Sequence, residues 1–305
     1  MTKHVYDMII VGGGPAGYSA ALYGARANMD LLLIEKMYPG GQMTQTHQID
    51  NYPGFADGID GFSLAMQMQK QAEKFGAKTK FDEVINLNLN GDIKEVQTSN
   101  ETYYAKTVVL AMGASPRTLG IKQEAELIGK GVAYCAACDG AFFRGKDVVV
   151  VGGGNTAVAD ALLLARLAKQ VTLVHRRNQL RAEKILQQQL MDAQNIQIYW
   201  NHEVKDILHD DKVNGIVLQN NVTHEQTTLP ADGIFVSIGR VPATSFLSDI
   251  ALDAQGYIIA NEDTKTSLDG VYAIGDIRTK PLRQVVGAVS DGAVAIHEAQ
   301  QYLGK

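Results

Sequence analysis

The apolar positions of this chain group into compact runs closed by glycine. Residues 6–11 read as a buried strand, and the run ends at Gly12, where a tight turn leads into an alanine-rich helical pattern. Leu31-Leu-Leu-Ile34 predicts a second strand, closing on Glu35. Residues 107–112 read as a further strand stopped by Gly113. From Asp147 the first pattern returns as a valine-rich strand, a glycine turn and a greasy helical run over residues 157–167, broken by Asp160 and Arg166. Late in the chain, Thr266-Ser-Leu-Asp-Gly270-Val-Tyr-Ala-Ile-Gly275-Asp276 reads as a turn, a short buried strand and an acid at its C-terminal end. Strands alternating with helices predict an α/β fold.

Self-comparison sharpens this reading. Asp7-Met-Ile-Ile-Val-Gly12-Gly-Gly14-Pro15-Ala16-Gly17 and Asp147-Val-Val-Val-Val-Gly152-Gly-Gly154-Asn155-Thr156-Ala157 carry one pattern twice, 140 residues apart. The first glycine of each makes the tight turn, and the second lets backbone approach a pyrophosphate. The third small residue, Gly17 or Ala157, lets helix pack close to strand. The pyrophosphate then sits at the helix start, where unpaired N–H groups and the helix dipole favour negative charge. One such motif is a weak signal. Two, each between strand and helix, predict two Rossmann-like, three-layer dinucleotide-binding domains, which 305 residues accommodate.

The copies differ where the nucleotide ribose would lie. Glu35 stands 23 residues beyond Gly12, where an acid accepts hydrogen bonds from a ribose diol. The same count from Gly152 reaches His175, followed by Arg176 and Arg177, with Arg181 one turn on. Guanidinium groups bind phosphate bidentately, whereas a carboxylate repels it. The second unit is therefore expected to hold NADPH and the first an unphosphorylated adenosine ribose; a merely solvated basic run is the alternative. Asp276 is a candidate partner for a polyol chain such as ribityl, or a turn aspartate.

Composition is that of an ordinary soluble protein, 46% hydrophobic and 20% charged. The net charge of −5 gives no reason to expect nucleic acid or anionic membrane as a partner. No apolar run approaches the roughly 18 residues that span a bilayer. The glycine turn follows the first strand too closely to leave room for a cleavable signal, so a cytoplasmic location is expected. Cys135 and Cys138 are the chain's two cysteines. They are too few for a disulfide framework, and neither a second cysteine pair nor a close histidine pair completes a zinc site. A redox pair is the expected role, with two inert buried thiols as the alternative.

With the paired fingerprints, the Cys135-Ala136-Ala137-Cys138-Asp139 segment and the terminal Gly275-Asp276 strand, the chain resembles bacterial low-molecular-weight thioredoxin reductases. The likeness runs from Asp7 to near the C-terminus. It includes Gly40-Gly41-Gln42-Met-Thr44, Asn51-Tyr-Pro-Gly54, Ala111-Met-Gly113, His175-Arg-Arg177 with Arg181-Ala-Glu-Lys184, and Arg283-Gln284-Val285. Some relatives carry threonine between the cysteines; the alanines here are read as tuning the pair. The resemblance implies FAD on the first fingerprint, with Gly41, Gln42, Thr46, Asn51, Ala111, Gly113, Gly275, Asp276, Arg283, Gln284 and Val285 around it. It implies a discontinuous FAD domain, residues 1–115 with 245–305, and an inserted NADPH domain, 116–244, carrying the cysteines. It further implies a homodimer, thioredoxin or a thioredoxin-like protein as partner, Cys138 as the sulfur facing the flavin, Asp139 as its acid/base, and domain rotation presenting dithiol and nicotinamide in turn. From the residues alone, Asp139-Gly140 equally suits a plain turn.

Lys130, Phe142 and Phe143 flank the pair and form either a docking patch or a solvated lysine beside two core phenylalanines. A reductase acting on a ferredoxin-like partner is the alternative enzyme, although relatives of that kind lack the redox pair. Reductase components of peroxide-reducing systems carry additional N-terminal thioredoxin-like domains, which are not expected here. A nucleotide-sensing module would need the fingerprints but not the cysteines.

Overall fold

A computed structural model describes residues 3–46 and 48–305. The chain forms two compact units, one built from residues up to Ser115 together with Val241–Lys305, the other from Pro116–Arg240.

The first unit opens with β1 (Val5–Val11), α1 (Pro15–Arg26), β2 (Leu31–Glu35), α2 (Gly61–Lys74) and β3 (Lys78–Phe81). β4 (Val84–Asn88), β5 (Lys94–Thr98) and β6 (Thr102–Leu110) follow as a meander. β1, β2, β3 and β6 run parallel, and β5 and β4 extend the sheet antiparallel from the first half of β6. β1 and β2 are near-continuous apolar runs because both faces of a parallel sheet are covered. α1 begins at Pro15, whose fixed φ suits a first helical position.

The chain leaves through β7 (Ala114–Pro116) and enters the second unit: β8 (Val132–Ala133), α3 (Ala136–Asp139), β9 (Asp147–Gly152), α4 (Asn155–Ala165), β10 (Gln170–His175), α5 (Lys184–Asp192) and β11 (Ile196–Trp200). An antiparallel sheet of β12 (His202–His209), β13 (Val213–Asn220) and β14 (Gln226–Pro230) precedes β15 (Gly233–Ser237). The return strand β16 (Arg240–Pro242) pairs with β7. That pairing sets the second crossing a few residues ahead of the sequence-based limit at 244. β17 (Val271–Ala273) and α6 (Val285–Leu303) complete the first unit.

The parallel strands run β3-β2-β1-β6 with β17 beside β6 in the first unit, and β11-β10-β9-β15-β8 in the second. The duplication thus extends well beyond the fingerprints. β17 comes last in its unit and β8 first in its own, yet both occupy the same place.

In the second unit the helices cover one sheet face around Val150, Ala161 and Leu173, and the antiparallel sheet covers the other around Val149, Ile216 and Leu218. These are three layers: helices, parallel sheet and antiparallel sheet, two of them β. In the first unit α6 lies directly on α1. A Cβ on Gly292 would stand 2.6 Å from the Ala16 carbonyl oxygen, and Ser19 Oγ donates to Val289 O at 2.7 Å. This close packing fixes the N-terminal end of α1.

Candidate active site

Each glycine turn lies at the carboxyl end of its central parallel strand, the usual ligand edge of a doubly wound sheet. Gly12 has φ +107°, and a Cβ there would stand 2.5 Å from Ala111 O beyond β6. Gly152, with φ +154°, faces Ser237 O at the end of β15 at 2.4 Å in the same sense. A Cβ on Gly17 would lie 1.9 Å from Gly12 O, so helix and strand meet backbone to backbone. Ala157 does the same work through its methyl group, 2.6 Å from where a Gly152 Cβ would be.

The middle glycines have a role that the motif does not reveal. A Cβ on Gly13 would stand 3.0 Å from Glu35 Oε2, and Gly13 N–H donates to that oxygen at 2.6 Å. A Cβ on Gly153 would stand 2.2 Å from the His175 ring. The residue ending the second strand is thus packed against the turn in both units. Gly14 and Gly154 differ from the rest: nothing lies within 4 Å of a Cβ at either, and no side chain caps α1 or α4. These two openings beside uncapped helix starts fit a pyrophosphate in each unit.

His175 departs from the expected cationic cluster. It is 4% exposed, donates from Nε2 to Gln179 O at 2.9 Å, and meets Trp200 edge-on. Burial pushes its imidazole below the ordinary value, against the Gln179 and Gly152 carbonyls. The exposed cations are Arg176, Arg177 and Arg181, and Arg181 N–H donates to Gly153 O at 2.7 Å, tying that loop to the turn. Asn155 has its side chain committed to Glu183, donating from Nδ2 at 2.9 Å and accepting its N–H at 2.8 Å. Thr156 beside it is exposed.

Several flavin candidates gather around the first turn. Gly40 N–H donates to Gly13 O at 2.7 Å, and a Cβ on Gly41 would lie 3.7 Å from Gly14 Cα. Gln42 is exposed and Thr46 half-buried beside this segment. Asn51 Nδ2 donates to Gln284 Oε1 at 2.9 Å, and Val285 packs on the cluster containing Met43 and Leu64. A Cβ on Gly275 would lie 3.0 Å from Ala16 Cβ, bringing the Gly275-Asp276 turn to the start of α1. Gly113, with φ +69°, accepts from Ala243 N–H at the crossing. Arg283 stacks over Tyr257 at 4.1 Å, and its buried Nε has no hydrogen-bond partner among the described residues. An orphaned buried donor of this kind, with the opening at Gly14 and the Glu35 carboxylate at the turn, fits an FAD-like group.

Cys135 and Cys138 form a disulfide with Cα atoms 5.3 Å apart. Cys135 Sγ accepts Cys138 N–H at 3.2 Å, and Asp139 N–H donates to Cys135 O at 3.0 Å, winding α3. Ala136 is buried and Ala137 exposed. Asp139 is half-buried at the end of α3, and Gly140 runs on into a 3₁₀ turn. Phe143 is 9% exposed and meets Phe235 edge-on, whereas Phe142 is 46% exposed and Lys130 lies at the surface. The expected trio therefore divides between core and surface. Because β8 pairs in parallel with β15, the disulfide begins at the same sheet edge as Gly152. With two strand spacings between β8 and β9, the separation is roughly 10 Å.

Three further carboxylates, buried Asp291 and Glu124 and half-buried Asp160, have contacts that the motifs do not reveal. Asp291 on α6 binds Arg278 at 2.8 Å and Lys280 at 2.9 Å, and accepts Gly275 N–H at 2.8 Å. Burial alone would raise its carboxyl; the two cations outweigh that and hold it below the ordinary value. Glu124, 2% exposed, accepts from Leu119 and Gly120 N–H and from the hydroxyl of Tyr134, the residue preceding Cys135. Asp160 accepts from Ser237 Oγ behind the second turn, and burial raises its carboxyl, opposed by Ser237. A lone acid within an apolar run, as at Asp160 and Asp291, is the signal that marks two of them.

The sequence matches the family described as pyridine nucleotide-disulphide oxidoreductase over residues 6–292. A thioredoxin reductase of Peptoclostridium acidaminophilum is 46% identical, covering 99% of this chain and 98% of the relative. One from Bacillus subtilis is 42% identical over 99% of this chain and 96% of its own. A crystal structure of a thioredoxin reductase from Streptococcus pyogenes superposes with a TM-score of 0.93 at 44% identity, covering 99% of each chain.

Proposed function

This chain belongs to the pyridine nucleotide-disulphide oxidoreductase family, and from that membership we propose that it is a thioredoxin-disulfide reductase fed by NADPH through FAD. The observation that carries the reading is the shared sheet edge in the second unit, where a redox disulfide follows β8 and a nucleotide turn follows β9. The other unit supplies a separate turn whose ribose position is an acid.

FAD, when bound, accepts a hydride from nicotinamide and releases both electrons to a disulfide. The chain's residues bind, place and protonate. Gly14 and the start of α1 receive one pyrophosphate, Glu35 the ribose diol, and Asn51, Asp276 and Gln284 the polyol and ring. Gly154 and the start of α4 receive the NADPH pyrophosphate, and Arg176, Arg177 and Arg181 its 2′-phosphate. Reduction of Cys135–Cys138 takes two electrons and one proton and leaves a thiolate and a thiol, the thiol's proton coming from Asp139. One thiolate of the pair then attacks the thioredoxin disulfide, and its partner resolves the mixed disulfide, restoring Cys135–Cys138. Thioredoxin's dithiol sits at about −270 mV, which calls for a donor as strong as NADPH.

Phe142 and Lys130 are the surface groups beside the pair that suit a docking partner. A cytoplasmic homodimer is proposed on the resemblance; no helix among the described residues is long and apolar enough to cross a membrane. The test is Cys135→Ser. Purified protein should be yellow and still bleach with NADPH, while thioredoxin-dependent turnover falls to background. Undiminished turnover would reject the assignment.

A further inference from the structure

The arginine loop between β10 and α5 carries its cations without carboxylate partners. Among the described residues, no ion pair involves Arg176, Arg177 or Arg181. Three exposed arginines on a loop lose much conformational freedom when they grip one phosphate, so affinity depends on how far the loop backbone is held beforehand. His175, Arg181 N–H and the Asn155–Glu183 pair hold its middle and far end, as described above.

Its near end is held from behind by the antiparallel sheet. Asn201, in the link between β11 and β12, donates its N–H to Arg177 O at 3.2 Å. It sits at φ +57°, a left-handed backbone that asparagine tolerates and that is unfavourable for β-branched residues. Asn221, in the turn after β13, donates its N–H to Asn201 O at 2.7 Å and its Nδ2 to Arg176 O at 3.3 Å. Two asparagines from separate links thus take up the carbonyls of both arginines. The guanidinium groups themselves make none of these bonds.

We propose that Asn201 and Asn221 are positioning residues for selection of the 2′-phosphorylated nucleotide. By fixing the carbonyls of Arg176 and Arg177 they preset the loop for a phosphate that neither asparagine touches. This rests on reading the arginine loop as the 2′-phosphate site. The effect belongs to NADP⁺ alone, because NAD⁺ places no charge there.

The test is calorimetric titration of the flavin-loaded enzyme with NADP⁺ and with NAD⁺, with Arg176→Ala/Arg177→Ala as reference. Asn221→Ala removes the Nδ2 donor at an exposed position, and Asn201→Val opposes the left-handed backbone. Loss of about one ordinary hydrogen bond corresponds to roughly a three- to tenfold weaker Kd. Each variant should show that loss for NADP⁺, with NAD⁺ held within about twofold. Asn201→Gly keeps both the backbone conformation and the N–H, so it should bind NADP⁺ far better than Asn201→Val. If the arginine variant loses its preference while Asn221→Ala and Asn201→Val bind NADP⁺ normally, or weaken both nucleotides equally, the proposal is overturned and the phosphate reading stands. Should the arginine variant itself keep full preference, the phosphate reading fails and the brace falls with it.

Discussion

Replacing Gly154 with alanine separates ligand binding from folding. Gly154 has φ −95° and ψ −177°, a backbone open to any L-residue, and no heavy atom lies within 4 Å of the added methyl. The fold should therefore accept Gly154→Ala without strain, and reduced freedom of the unfolded chain stabilises by about 0.4–1 kcal/mol. The methyl nevertheless occupies the opening at the start of α4, where phosphate must come within hydrogen-bond reach of backbone. Forfeiting one hydrogen bond to a charged group costs about 1.5–3 kcal/mol, or roughly ten- to a hundredfold in Kd. Thermal melting of the nucleotide-free protein and calorimetric titration with NADP⁺ give the two readouts. Expected are an unchanged or slightly raised Tm and a Kd at least tenfold weaker. Gly153→Ala, one residue away, should do the reverse to the fold, because its methyl would meet the His175 ring at 2.2 Å. Overpacking of that kind costs about 1–3 kcal/mol. Native NADP⁺ affinity in Gly154→Ala, or a clear fall in its Tm, would refute the assignment of that space to a phosphate.

Asp291→Asn leaves Arg278 and Lys280 buried with no counter-charge. Breaking a buried pair costs about 3–5 kcal/mol, so the first unit should lose many degrees of Tm; a shift below 2 °C would show the cluster to be open to water. It should also release FAD more readily, read as free-flavin fluorescence, because Asp291 anchors Gly275 next to Asp276. His175 gives the second unit a pH dependence: burial lowers its folded pKa from 6.5, so its contribution to stability is complete above that value and drains away as pH falls through the folded pKa. Denaturant midpoints at pH 7.5 and 5.5 should therefore converge in His175→Gln relative to wild type, and an equal loss in both proteins would count against a buried neutral ring.

Much of this architecture was readable because its signals are local. A continuous apolar strand, a glycine turn and a small residue at the helix start are spelled out within about a dozen positions, and they recur in both units. What lay hidden depends on residues distant in sequence. His175 occupies the expected register, but its burial follows from Gly153 and Trp200 closing over it, and so a presumed cation became a packing ring. Asn155 likewise satisfies the fingerprint while its side chain serves Glu183, 28 positions away. Phe142 and Phe143 are neighbours of one residue type, and Phe143 alone finds room against Gly233 and Phe235, far along the chain.

In both units, the end of the second strand packs on the middle glycine of the turn, with Glu35 in one and His175 in the other. Glu35 meets that turn through a carboxylate that accepts Gly13 N–H, the oxygen-bearing group that the proposed ribose role calls for. His175 meets it through a neutral ring that presents nothing to solvent, and the charge of its unit moves outward to Arg176 and Arg177. Exchanging an acid for a histidine therefore does two things at once. It removes the repulsion that would expel a 2′-phosphate, and it closes the floor of the loop on which the arginines stand. On this account Glu35→His alone would not create NADP⁺ binding in the first unit, since the braced cationic loop that follows His175 has no counterpart after Glu35.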